Sequence, residues 1–251
     1  MARREVMEPL YKCVWMSAGV LSFRLCDRGY DCDHCLVDQA LREGSSPPVH
    51  ALHEEAAEAR GAPKAIGGLR YSRTGFYHPS HLCVRVSGLG NVHVGVDDLG
   101  RRLLGSLQEL RVPDAGANVG PKRRNWVFLG DAGEVVLPCP VSGKVLSVNR
   151  TLVEDPRGFR KLDRAHAWLA RVRPDRLQDD LSRLLYGKRT VAWLREELER
   201  VRDLLVEERT IAFGSVPDGG TLDLAVLDHI EPEVRRRLIE ERMLRSGERR
   251  R

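Results

Sequence analysis

No run of apolar residues in this 251-residue chain is long enough to cross a membrane; the longest, Val14 to Phe23, is about half of what a spanning helix requires. That run follows Arg3 and Arg4 in the manner of a short signal peptide. However, Lys12 and Cys13 abut it, Arg24 closes it and no small-residue cleavage site follows, so a cytoplasmic protein without a membrane span is expected. The sequence also lacks a phosphate loop, a dinucleotide fingerprint and a nucleophile elbow. Gly67-Gly68 and Gly219-Gly220 come without the lysine or serine such sites need, so catalysis has no visible home and no enzyme is expected. There is no internal repeat and no low-complexity tract. Charge of one sign is not massed on any segment: 41 basic residues against 36 acidic ones leave +5, spread along the chain. The densest basic clusters, Arg249 to Arg251 and Arg235 to Arg237 on an expected helix, read as solvated surface, and no nucleic-acid partner is expected.

What is there divides into four stretches. Four of the six cysteines, Cys13, Cys26, Cys32 and Cys35, fall within the first forty residues and mark residues 1–44 as a separate cysteine-rich leader. Residues 45–76 read as a linker, from Ser45-Ser46-Pro47-Pro48 through a short helical run at His53 to Arg60. From Cys83 to Val148 the pattern becomes alternating runs such as Val84-Arg85-Val86 and Val92-His93-Val94, set off by glycine turns, which predicts small antiparallel strands within a domain spanning 77–174. Among them Asp97 is placed to cap a helix carrying Leu99, Leu103 and Leu104 on one face, with Gly105 ending it. Residues 175–251 form a helical extension. Leu177, Leu181, Leu184 and Leu185 share one face; after a break at Gly187, so do Val191, Leu194, Leu198, Val201 and Leu205, suggesting a helical hairpin. A short strand at Ile211 to Phe213, a turn at Asp218-Gly219-Gly220 and a last helix from Pro232 complete it.

One ordered set of residues carries more than composition. Tyr77, His81, Val84-Arg85-Val86, Gly88, Val94-Gly95-Val96, Asp98, Leu104-Gly105, Leu107, Pro113 and Gly116, then Pro140-Val141-Ser142-Gly143, Val145, Val148-Asn149, Leu152, Asp155-Pro156 and Trp168-Leu169 resemble the glycine cleavage H protein family. The resemblance implies an α+β fold: a flattened antiparallel β barrel-sandwich of the lipoyl type, here with the cysteine-rich module before it and the helices after it. It also implies a lysine at a hairpin tip, to which lipoate is attached. An exposed tip gives such a cofactor a long tether with little to pack against, suited to travel between partner enzymes.

Counting back from Pro140 puts that tip at Gly130-Asp131-Ala132-Gly133-Glu134, with Ala132 where the family's lysine is expected. Asp131, Ala132 and Gly133 make a degenerate lipoyl tip, since none has the ε-amino nucleophile that amide formation needs. Lys122 and Lys144 fall outside it. Asp163-Arg164-Ala165 stands where the family has Pro-Tyr-Gly, and Cys83 where it has tryptophan. Lipoate is therefore not expected, and the chain reads as a scaffold kept for another use.

In the leader, Cys32-Asp33-His34-Cys35 offers two thiolates across a tight turn, and Cys13 and Cys26 complete a set of four expected metal ligands. Zinc and an iron-sulfur cluster both suit four thiolates, and spacing does not separate them. A redox pair of Cys32 and Cys35, structural oxidation of the set in an exported protein, and simple burial compete with the metal. Asp27, Asp31 and Asp33 read as turn formers, and His34 as pointing away. His78 and His81 are expected to be structural, His50 and His53 solvent-facing, and Cys139 a buried small side chain. The expected protein is a non-catalytic adaptor whose partners are proteins, in a lipoyl-dependent or a redox complex. The alternatives are an electron-transfer or sulfur-handling protein working through the leader, and a working component of the glycine cleavage system.

Overall fold

The computed structural model describes residues 12–18, 20, 21, 24, 26, 30–43, 64–72, 74–87, 90–161, 168–208 and 222–245. The expected helix at His53 to Arg60, the strand at Ile211 to Phe213, the turn at Asp218 to Gly220 and Asp163-Arg164-Ala165 lie outside them, as do His50, His53 and Asp27. The chain forms two compact units, residues 1–61 with 88–90, and residues 62–87 with 91–251.

In the first unit, α1 (Val14–Ser17) and α2 (Leu36–Arg42) are short and neither is capped by a side chain. Its buried residues, among those described, are Cys13, Val37, Asp38 and Ala40. The Asp38 carboxylate is buried but not bare: it accepts from Trp15 Nε1 at 2.8 Å and from the Arg42 guanidinium.

The second unit opens with a hairpin of β1 (Lys64–Ile66) and β2 (Leu69–Tyr71). Then come β3 (Phe76–Tyr77), β4 (Leu82–Val86), β5 (Val92–Val96), α3 (Asp98–Leu104), β6 (Leu107–Arg111) and β7 (Asn118–Val119). They are followed by β8 (Arg124–Gly130), β9 (Gly133–Pro138), β10 (Gly143–Val148), α4 (Arg150–Glu154) and β11 (Trp168–Pro174). The C-terminal helices are α5 (Leu177–Ser182), α6 (Lys188–Glu207) and α7 (Pro232–Ile239). Among the described residues the main sheet has six strands in the order β3-β4-β5-β11-β10-β7 and a second has three, β6-β8-β9; every ladder is antiparallel. This is an antiparallel sandwich with helices. It is the expected antiparallel barrel-sandwich class, with the two sheets not closed into a barrel, since no ladder joins them among the described residues.

The alternation read from the sequence is the pleat itself. Leu82, Val84, Val92 and Val94 point to the buried side of the large sheet, and Trp126, Phe128, Val135 and Leu137 to the buried side of the small one. Pro140-Val141-Ser142-Gly143 follows from close approach: a Cβ on Gly143 would stand 2.2 Å from the Arg173 carbonyl oxygen across the β10–β11 ladder, so only glycine fits. Asp180 fixes the same corner, its carboxylate accepting from Ser142 N at 2.8 Å and Ser142 Oγ at 2.6 Å.

The C-terminal helices share a compact unit with the sheets. Leu185 and Tyr77 exchange backbone hydrogen bonds of 2.8 and 2.9 Å, tying the link between α5 and α6 to the first strand of the main sheet. Helix α5 is only six residues long, shorter than the apolar spacing suggested, because the chain leaves the helix to make that bridge. Helix α6 buries Trp193, Leu194, Leu198, Val201, Leu204 and Leu205.

Arg235 overturns its sequence reading. Expected on a solvated face with Arg236 and Arg237, it is 5% exposed and donates to the carbonyls of Arg102, Leu103 and Leu227. The first two belong to the last turn of α3, whose carbonyls lack intrahelical donors and whose dipole favours a cation. Gly105, at φ +70°, leaves the space; a Cβ there would lie 2.8 Å from the guanidinium. Arg235→Met, which keeps the stem and removes the donors, is expected to cost about 2–3 kcal/mol in urea unfolding, while exposed Arg236→Ala shifts it by less than about 0.5 kcal/mol.

Candidate functional site

The hairpin comes first. Strands β8 and β9 pair Phe128 with Val135, Leu129 with Glu134 and Gly130 with Gly133, so Asp131-Ala132 is the two-residue turn between them. Gly133 has φ +101°, a conformation that suits glycine and closes the turn tightly. Asp131 is exposed, Ala132 half-buried, and Arg111 pairs with Glu134 at 2.9 Å behind the apex. The apex therefore presents a methyl group and a carboxylate. Lys122 is exposed in the turn before β8, and Lys144 is exposed on β10, where it pairs with Arg173 of β11 and Asn118 of β7. Neither is at the tip.

Beside the main sheet a cleft open to solvent is lined by Arg70, Cys83, Arg85, His93, Arg101 and Trp168, among others. His93 packs edge-on to Trp168 with ring centroids 5.4 Å apart. Its pKa is pushed below the usual imidazole value by burial first and then by Arg85 and Arg171, which flank it in the ladder.

At the other end of β4 sits a buried ionic network. His81 is fully buried at φ +62° and stacks on Trp193, with 5.0 Å between ring centroids. Its Nδ1 bonds Asp97 Oδ2 at 3.0 Å, while Asp97 Oδ1 accepts from Gly100 N at 2.7 Å and so caps α3. On the other side His81 Nε2 lies 3.8 Å from Glu197 Oε2, within ion-pair reach but too long for a hydrogen bond. Glu197 in turn pairs with Arg200 at 2.9 Å and Arg242 at 3.1 Å. Burial pushes His81 down, but the carboxylates of Asp97 and Glu197 outweigh it and hold the imidazolium up to about 9. Burial likewise pushes Glu197 up, and the charges of His81, Arg242 and Arg200 outweigh it, so its carboxyl lies below the ordinary range. His78, bonded to Ser80 Oγ at 2.7 Å, is driven down to about 4 by burial and by the neighbouring His81 charge. The network fastens the start of β4 to the cap of α3, to α6 and to Arg242 beyond α7, and Asp97 also lines the cleft.

In the first unit Cys13, Cys26, Cys32 and Cys35 line one small cavity with Trp15 and Asp38. Cys35 N donates to Cys32 O at 3.0 Å, closing the turn between that pair, and Tyr30 N donates to Cys26 Sγ at 3.1 Å. His34 is exposed, its Nδ1 2.9 Å from Asp31. The Cys32 thiol is raised by desolvation, then by the charge of Asp38 and of the Cys26, Cys35 and Cys13 thiols. All four are free thiols. Among the described residues, no group of three or more His, Cys, Asp or Glu is placed to hold a metal ion as the side chains lie. Cys83 is half-buried, while Cys139 is wholly buried, which pushes its thiol up to about 12.

Sequence reasoning missed Glu197, Asp180 and Arg235. Glu197 had a signal: it falls on the apolar face of α6 between Leu194 and Leu198, and a carboxylate there must find cations. Arg235 had none, because its partners are backbone carbonyls, two of them distant in sequence.

Comparison with known proteins places this geometry. Residues 76–197 match the family model described as glycine cleavage H-protein, so the match runs past Pro174 into α6. Glycine cleavage system H protein 3 of Aquifex aeolicus is 30% identical over 125 residues, 48% of this chain and 76% of that protein. A probable glycine cleavage system H protein of Pyrococcus furiosus is 29% identical over 132 residues, 52% of this chain and 96% of that one. Among solved structures, a glycine cleavage system H protein from Mycobacterium marinum aligns with a TM-score of 0.39 and 23% identity, over 42% of this chain and 87% of that one.

Proposed function

Starting from the fact that this chain belongs to the glycine cleavage H-protein family, we propose that it is a non-catalytic adaptor that docks protein partners through the H-type unit without carrying lipoate. The observation behind this reading is the hairpin apex. The family attaches lipoate to a lysine there, and an amide needs a free ε-amine; Asp131 and Ala132 supply a carboxylate and a methyl group. The parts that make the fold are kept: Gly143 at its close contact, Asp97 at its cap, and the buried valines of β4 and β5. Losing the attachment point while keeping the frame separates docking from carrying.

Reconstitution tests this reading. Glycine decarboxylase supplied with this chain as its sole H-type protein is expected to give no aminomethyl transfer, where a lipoylated relative gives full turnover. Added in excess to the lipoylated relative, this chain should slow the reaction if the decarboxylase is the partner it docks. Turnover with this chain alone would overturn the reading.

A further inference from the structure

We propose that Cys13, Cys26, Cys32 and Cys35 bind a thiophilic metal centre as four thiolates, a site independent of the adaptor reading. The four come from separate local positions: the residue before α1, Cys26, the tight turn at Cys32, and the residue before α2. They nevertheless line one cavity. Cys13 N donates to Arg24 O at 2.9 Å, which holds Cys13 against the chain leading to Cys26, and the turn closed by Cys35 N to Cys32 O brings the backbones of the last two cysteines together. A backbone amide already points at a sulfur, Tyr30 N to Cys26 Sγ, an arrangement that stabilises a thiolate in its charged, ligating form.

Asp38 is not a competing ligand, since Trp15 and Arg42 engage its oxygens. His34 faces Asp31. As they lie, no three donors among the described residues are placed for a metal, so binding must turn the thiols inward; rotation about the Cα–Cβ bond re-aims a sulfur without moving backbone. Each bound thiol then loses its proton to solvent and no electron changes hands.

The test uses the full chain purified without oxygen, analysed for zinc, iron and acid-labile sulfide. The demetallated, reduced protein is then titrated with Co(II). About one zinc per chain, or iron and sulfide with a brown absorbance, supports the site and tells the two centres apart. Co(II) should give a sulfur-to-cobalt charge-transfer band with tetrahedral d–d absorption. Cys32→Ser and Cys35→Ser are expected to remove most of that band while Cys83→Ser leaves it unchanged. A wild-type chain that is colourless, metal-free and gives no thiolate–cobalt band would overturn the proposal whatever the variants do, as would a Cys32–Cys35 disulfide as the resting state.

Discussion

Ala132→Lys, co-expressed with a lipoate ligase in lipoate-supplemented medium, is expected to take the chain from no lipoylation to lipoylation of most molecules, read as one added lipoyl group in the intact mass. The backbone that should present the lysine is in place: Gly130 pairs with Gly133, the turn between them has two residues, and Gly133 takes the positive φ that closes it. The Ala132 methyl is half-buried, so a lysine there would run its stem along the hairpin and place its amine in water. The wild-type chain in the same medium has Lys122 and Lys144 to offer, both exposed and neither on this turn, which makes it the internal control. If Ala132→Lys stays unmodified, a lysine on this turn is not sufficient, and the carboxylates of Asp131 and Glu134 beside it become the place to look.

Glu197→Ala is expected to be among the most damaging single substitutions in the H-type unit. It removes the buried carboxylate that His81, Arg200 and Arg242 share, leaving the His81 imidazolium with Asp97 alone. Breaking one partner out of a buried ionic set costs about 3–5 kcal/mol. Urea unfolding at neutral pH measures it. The same network gives stability a definite pH dependence. His81 is held at about 9 in the folded chain against about 6.5 unfolded. Its contribution, on the order of 3 kcal/mol, is therefore complete below about pH 6.5 and fades as pH rises through about 9. Glu197 is depressed, so its contribution is present above the ordinary carboxylate range and is lost as pH falls. His78, held at about 4 by burial, takes stability away as pH falls below about 6.5, so stability should be greatest near neutral pH, and His81→Gln should flatten the alkaline fall.

Legibility followed the range over which each signal acts. The pleated alternation of Val84 and Val86 with Arg85, the Asp97 cap and the Gly105 stop are local, and each appears where the sequence places it. The start of the last helix at Pro232 is local too. The apolar face of α6 was readable from its spacing, yet the spacing does not say what it covers; the face packs Trp193 on His81 and Tyr77. The antiparallel sandwich of two sheets was legible through the family resemblance, whereas whether the sheets join by a ladder depends on curvature that no local signal carries. Arg235 was misread because a run of three arginines on a helix says nothing about which one turns inward, and two of its three acceptors lie more than 130 residues upstream. At the tip, Ala132 is informative only against the family pattern, since an alanine in a turn has no chemistry of its own to announce.

The most direct test of the central claim is the intact mass of the wild-type chain after expression with lipoate and an active lipoate ligase, beside a lipoylated H protein as a positive control. The expected result is the unmodified mass of the 251-residue chain. A wild-type chain carrying a lipoyl group, mapped by peptide sequencing to Lys122, Lys144 or any other lysine, would contradict it.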